Sequence, residues 1–465
     1  MKRTVVLNVV GLTESLLGPA TPRISAFLKS GSTARIVPAF PAVTCTAQSN
    51  YVTGLLPAQH GIVANGWYNR ELAEVQFWKQ SNHLVRGRKI WEELRESDPQ
   101  FTCAKLFWWY NMYSTADFSI TPRPMYPADG RKVFDIYAAP FSIRNEIKKD
   151  LGEFPFPGFW GPAAGKKTPQ GSADAVSRWI ADSARWIENK YHPTLSLVYL
   201  PHLDYNLQRV GPKHLSIMGD LLQIDAIVGG LIDFFRKQSV EVIILSEYGI
   251  TEVAAPIFLN RMFREKGWIA IKEELGLEVL DCGASRAFAV ADHQVAHVYL
   301  NNRSLEREVR DLLEKTPGIE RVLSADEQAE LGINHPRSGD LIAVAAERAW
   351  FTYYYWLDDR VAPDFARCVD IHRKPGYDPV ELFLDPKLQS PMLKIGWRLL
   401  QKKLGFRMLM DVIPLDATLV KGSHGRRPTD PGDYPILILE QSGQLLKPEI
   451  ESTEVYPTIK QRLMG

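Results

Sequence analysis

The sequence predicts an α/β protein built on a doubly wound, largely parallel sheet, and three observations point there. Short β-branched runs such as Val5–Val10 and Val240–Leu245 are predominantly apolar, as strands covered on both faces are. They alternate with longer stretches of helical spacing, including 173–190 and 215–237. The polar residue types that carry chemistry, Thr44, Asp204 and Glu247, each follow one of these runs, where such a sheet places its ligands.

Taken in order, Val5–Val10 ends at Gly11 and reads as a central strand; Asn8 is its one polar interruption. Thr21-Pro22 has the hydroxyl and proline of a helix start. Ala34–Pro38 reads as a strand leading into 40–62, a run of small hydroxyl residues that opens onto Thr53-Gly54 and His60-Gly61. There Thr44 is expected at the head of a helix, where a threonine can cap the backbone or face a phosphate. Residues 87–96 read as a helix and Cys103–Trp108 as a strand. Phe107–Tyr113 is aromatic enough to line either a core or a cleft. The proline- and aromatic-rich stretch 120–170 is expected to be an irregular surface excursion that shapes a pocket. Leu195–Leu200 and Val240–Leu245 are strands, each followed by polar residues.

A change of pattern follows. Ala287–Leu300 reads as a hairpin turning near Asp292-His293, with a helix at 305–315 and a short strand at Val322-Leu323. Together they predict a small α+β insertion over 280–340 in a core formed by 1–279 and 341–465, with Asp340–Ala345 returning to the main sheet. Pro435–Leu439 is a further strand and Val455–Leu463 a closing helix.

A chain of 465 residues, 45% hydrophobic and 23% charged, can bury a large core. Its net charge of +1 gives no overall field toward nucleic acid or membrane. Four scattered cysteines without a C-x-x-C pair read as reduced thiols. The first ten residues lack a cleavage site, and no stretch approaches the roughly 18 to 20 apolar residues of a membrane helix. A cytoplasmic chain is expected, with neither a nucleic-acid polymer nor a membrane as partner.

Four segments carry a resemblance to the nucleotide pyrophosphatase/phosphodiesterase family of the alkaline phosphatase superfamily. Thr44–Ile62 resembles the segment with that family's threonine nucleophile, ending in the same Thr-Gly-Leu-x-Pro-x-x-His-Gly-Ile string. Leu203–Pro212 resembles its metal loop, Ile243–Gly249 its strand ending in Ser-Asp-His-Gly, and Gly422–Gly425 its late Gly-x-His-Gly. The resemblance implies an alkaline-phosphatase-like three-layer α/β/α sandwich. It also implies a small phosphorylated metabolite as partner and hydrolysis of its phosphodiester, pyrophosphate or phosphomonoester bonds by Thr44, assisted by divalent metal, zinc in that family.

Carried over by position, the family's first aspartate falls on Val10, its loop histidine on Gln208, its Asp-His pair on Glu247-Tyr248, and its phosphate-cradling asparagine on Ala47, beside Gln48. Asp204, Glu247 and His424 remain as metal ligands, suiting one ion or a harder metal than zinc. Gln48, Gln208 and Tyr248 are expected at the substrate. The departures admit an alternative: a remodelled or inactive member that binds a metabolite or acts as a scaffold. Asp370 and His372, two apart, would share a face if they lay on a strand and could join the site. Glu14, Asp292 and His293 read as solvated turn or helix residues. Tyr353–Asp359 reads as a pocket wall or as packing. Cys45-Thr-Ala-Gln-Ser lacks the proline and arginine of the sulfatase motif, so Cys45 reads as a packing residue.

Overall fold

The computed structural model describes residues 1–169, 171–445 and 447–465. Nine strands form the main sheet in the order Glu449–Glu451, Ser32–Val37, Ile436–Leu439, Glu241–Leu245, Thr4–Val9, Leu195–Leu200, Cys103–Leu106, Phe118–Pro122 and Ile136–Ala139. The five strands from Glu241–Leu245 through Phe118–Pro122 run parallel, so their carboxyl ends share one edge.

Side chains in the central strands alternate between two cores because successive residues of a strand point to opposite faces. Val5, Leu7 and Val9 pack with Ile24, Ile180 and Ile224 of the helices Pro22–Ser30, Ala175–Tyr191 and Ile217–Lys237. Val6 faces the other way and joins Tyr51, Trp91 and Ile459 of the helices Thr44–Thr53, Ile90–Ser97 and Val455–Met464. The result is the expected α/β/α sandwich. Gly11 ends the central strand at φ +78°, where a Cβ would also meet Leu207 Cδ1 at 3.0 Å.

Two expectations are corrected. Leu341–Ala345 does not rejoin the main sheet: it pairs with Val295–Val298 and Ile319–Leu323 in a second sheet of four strands, ordered Ala287–Asp292, Val295–Leu300, Leu341–Ala345, Ile319–Leu323. An apolar run cannot say which sheet buries it. The 120–170 stretch is not irregular throughout either: it supplies the edge strand Ile136–Ala139, most of its neighbour Phe118–Pro122 and the helix Ser142–Leu151, whose Ile143 and Ile147 enter the first core. Gln170, at its end, lies outside the described residues. Tyr353–Trp356 is buried packing under the second sheet.

The 370–378 segment is a turn rather than a strand. A buried ion cluster fixes it: Lys374 Nζ meets Asp378 Oδ2 at 2.6 Å and Glu381 Oε1 at 2.7 Å, while Trp160 Nε1 donates to Glu381 Oε2 at 2.6 Å. Removing the cation would leave two carboxylates buried and uncompensated. Lys374→Ala is therefore expected to cost about 3–5 kcal/mol of unfolding free energy in urea titration; a loss under about 1 kcal/mol, the range of an exposed pair, would contradict this.

Candidate active site

Thr44 is the first residue of the Thr44–Thr53 helix, with Val43 in extended conformation at the cap and no side-chain cap hydrogen bond. Its hydroxyl is thus free of a capping role and lies 3.0 Å from the phenol of Tyr248. Tyr248 follows the Glu241–Leu245 strand and donates on to Asp204 Oδ1 at 3.1 Å. Asp204 lies in the first turn of a helix, His202–Val210, where its motif reads as a loop. One helical turn later, Gln208 Nε2 donates to Asp204 Oδ2 at 2.8 Å, and Tyr377 donates to Gln208 Oε1 at 2.8 Å. A single hydrogen-bonded chain therefore runs Thr44–Tyr248–Asp204–Gln208–Tyr377.

His424 joins from the C-terminal part of the chain. Its Nδ1–H donates to Ala42 O at 2.7 Å, since a carbonyl can only accept, which leaves Nε2 as an acceptor. Its ring lies flat on Tyr248, with centroids 3.6 Å apart and planes 6° apart. His293 stacks on Tyr377 at 3.6 Å and lies against His424 at 3.7 Å with the ring planes tilted by 37°. Four rings, Tyr248, His424, His293 and Tyr377, thus form a continuous column. Thr44, Asp204, Tyr248, His293, Tyr377 and His424 line one cavity, which Trp78, Trp109, Phe159 and Trp160 wall.

Sequence reasoning missed part of this. Asp292 and His293, expected in solvent, are fully buried: the hairpin turn of the second sheet is driven into the cleft of the first. His424 O accepts from Gln294 N at 2.8 Å, and Gly425 (φ +119°) permits the approach, since a Cβ there would stand 3.0 Å from that nitrogen. Asn65 binds both oxygens of Asp292, through its backbone N at 2.8 Å and its Nδ2 at 3.1 Å, and also lines the cavity. A side-chain amide therefore stands beside Thr44 although Ala47 occupies the expected asparagine position. Its only sequence signal was an Asn-Gly pair just past Ile62.

Gln48, Gln208 and Glu247 stand behind the cavity rather than in its lining. Gln48 donates to Glu247 Oε1 at 2.5 Å and accepts from Trp109 N at 2.7 Å, so its amide, like that of Gln208, serves the protein and not a substrate. Asn8, the interruption in the first strand, also donates to Glu247 Oε1. Asp370 and His372 stay out: Ile371 between them lines the cavity, while His372 Nδ1–H donates to Phe77 O at 3.2 Å. Glu14 pairs with Arg35 on the surface, and all four cysteines are buried and free.

Burial dominates the electrostatics. It raises the Asp204 carboxyl to about 7, against the pull of the Tyr248 and Gln208 hydrogen bonds. It raises Glu247 to about 8, opposed by Gln48 and Asn8, and Asp292 to about 6, opposed by the Asn65 N–H. It holds His293 and His424 well below the usual imidazole range, so both are neutral at pH 7. These residues do not fit a two-zinc centre. Val10 offers no donor, Asp204 has both oxygens hydrogen-bonded, and one Glu247 oxygen already serves two amides. Among the described residues, no three His, Cys, Asp or Glu side chains are grouped to hold a metal ion.

The α/β/α sandwich thus places a threonine at a helix head, facing residues from the ends of neighbouring strands. Residues 4–378 match the type I phosphodiesterase / nucleotide pyrophosphatase family, and the chain belongs to that family. An uncharacterized pyrophosphatase/phosphodiesterase of Schizosaccharomyces pombe is 23% identical over 238 residues, a match spanning 49% of this chain and 40% of that protein. Murine ectonucleotide pyrophosphatase / phosphodiesterase 5, solved as an inactive variant with AMP, superposes with a TM-score of 0.58 at 15% identity, covering 100% of this chain and 95% of that one. Phosphonoacetate hydrolase from Sinorhizobium meliloti, solved with phosphonoformate, does so at 0.62 and 12% identity, covering 100% and 96%. At these identities the likeness establishes the alkaline-phosphatase-like fold, and membership favours a hydrolase over a scaffold.

The raised carboxyls make stability depend on pH in a definite direction. Glu247 shifts from 4.5 to about 8 on folding, so the native state keeps a proton that the unfolded chain releases across that window. Its contribution therefore falls as pH rises, by at most about 1.4 kcal/mol per pH unit. Glu247→Gln removes the effect: denaturation curves at a series of pH values should show the variant gaining on the wild type between pH 4.5 and about 8. Parallel stability profiles would refute the assignment.

Proposed function

We propose that the chain hydrolyses a phosphodiester or pyrophosphate bond with Thr44 as nucleophile. The observation that carries this is the hydroxyl of Thr44 at a helix N-terminus, spent on no cap and held 3.0 Å from a phenol that is bonded to a carboxyl poised near neutrality. The helix N-terminus favours the phosphoryl oxygens. Among the described residues, no lysine or arginine lines the cavity. A diester with one charge is therefore a better ligand than a monoester dianion, whose second charge would have no counterpart.

In the first step Thr44 Oγ1 forms a bond to phosphorus as the bond to the leaving oxygen breaks, giving a phosphothreonine. The proton of Thr44 passes to the Tyr248 oxygen while the phenol proton passes to Asp204 Oδ1. The leaving oxygen takes a proton from solvent, and Asp204 returns its own there. Water then attacks phosphorus, one of its protons restores the Thr44 hydroxyl, and phosphate or its monoester leaves. Asn65 Nδ2 and the head of the Thr44–Thr53 helix position the phosphoryl group. The divalent metal that membership implies enters none of these steps, because Val10 offers no donor and both Asp204 oxygens are already hydrogen-bonded.

Thr44→Ala should abolish turnover of an activated aryl phosphodiester with folding intact, and Tyr248→Phe should lower it by about 100-fold or more. Full turnover in Thr44→Ala would remove the nucleophile, and a wild type that binds the diester without turnover would select the binding-only alternative. Because Asp204 acts as the base, kcat/KM should rise with pH through about 7 and lose that rise in Asp204→Asn. A chelator should leave turnover unchanged; strict dependence on a stoichiometric ion held by Asp204, Glu247 and His424 would overturn the metal-free route.

A further inference from the structure

The helix Pro391–Lys403 is inside out with respect to the protein that carries it. No residue of it is buried. Its polar side faces the body: Lys394 and Arg398 pair with Asp411 at 2.8 and 3.0 Å, and Lys402 Nζ donates to Lys132 O at 3.0 Å. Its apolar side faces outward, with Leu393 76% exposed, Trp397 58% and Leu404 64%, beside Met392 and Leu400. At 100° per residue these five side chains fall on one face. Phe406, just past the helix, extends the patch, as do Met125, Tyr126 and Phe134 of the adjoining 125–134 loop, all exposed.

The charge around the patch says what covers it. Residues 386–410 contain six lysines and arginines and no carboxylate, in a chain whose net charge is +1. Lys387, Lys403 and Arg407 are exposed beside the apolar face. A second copy of the chain would set the exposed Lys387, Lys403 and Arg407 against their like, whereas an anionic surface complements them. An exposed apolar face with a tryptophan and a basic border is the pattern of a helix lying in a lipid interface. No described helix is long and apolar enough to cross a membrane.

We infer that Pro391–Lys403 docks the protein peripherally on an anionic lipid bilayer, with Leu393, Trp397, Leu400 and Leu404 entering the interface and Lys387, Lys403 and Arg407 meeting the headgroups. The patch also lies near the cavity: Phe134 stacks on Phe156 at 4.6 Å, Phe156 meets Phe159 at 6.5 Å, and Phe159 lines the cavity wall. Docking would therefore hold the cleft close to the lipid surface.

Co-sedimentation of the full chain with phosphatidylcholine vesicles, with and without phosphatidylglycerol, tests this. Binding is expected to the anionic vesicles, to weaken as salt is raised, and to fall at least about tenfold in Leu393→Glu/Trp397→Glu/Leu400→Glu. Lys387→Glu/Lys403→Glu/Arg407→Glu, which leaves the apolar face intact, should fall comparably, and neither set touches the catalytic residues. Wild-type protein that stays in the supernatant with anionic vesicles at low salt would overturn the proposal, as would equal binding to neutral vesicles. Self-association that the glutamate variants dissolve, without vesicle binding, would assign the face to a contact between copies instead.

Discussion

The cleft depends on one constraint: Asp204 and Glu247 are buried where neutral donors, and no cation, face them. A phenol and an amide satisfy Asp204, and two amides share one oxygen of Glu247. Such donors hold a carboxylate in place but do not repay the loss of its hydration, so both carboxyls sit near neutrality. That single fact sets the electrostatics of the cavity and suits Asp204 to exchange a proton through Tyr248. It also leaves the site without the concentrated negative charge that would draw two divalent ions.

The second sheet completes this arrangement. Its hairpin turn brings Asp292 and His293 into the cleft, where His293 sits between His424 and Tyr377. Stacking flat neutral rings costs little in a dry site, and the column ties together residues that are 45 to 176 positions apart along the chain. The buried Lys374–Asp378–Glu381 cluster then fixes the turn that carries Tyr377. The geometry of the cavity is thus held by aromatic packing and neutral hydrogen bonds, with the Lys374–Asp378–Glu381 ion cluster set behind the wall.

Much of the fold and the first layer of the site could be read from residue order. Four of the five parallel strands were legible because each is buried and mostly apolar, and Thr44, Asp204, Tyr248 and His424 because each follows a recognisable strand end or motif; Phe118–Pro122 was not, since it opens the proline- and aromatic-rich stretch. Leu341–Ala345 was misplaced since an apolar strand fits either sheet equally well. Asp292-His293 read as a solvated turn because polar residues at a hairpin tip usually are solvated, and only docking against His424 and Asn65 buries them. The chain-wide charge of +1 likewise concealed the basic stretch around Pro391–Lys403, which averaging cancels.

Local pattern was therefore sufficient for the three-layer fold, the family and the position of the threonine, since strand burial, helix starts and motif spacing are properties of neighbours in the chain. The protonation of Asp204 and Glu247, the withdrawal of Gln48 and Gln208 from the cavity, and the outward turn of an apolar helix face arose only on folding. Each depends on which distant side chain arrives beside a group, and on how much water that arrival removes.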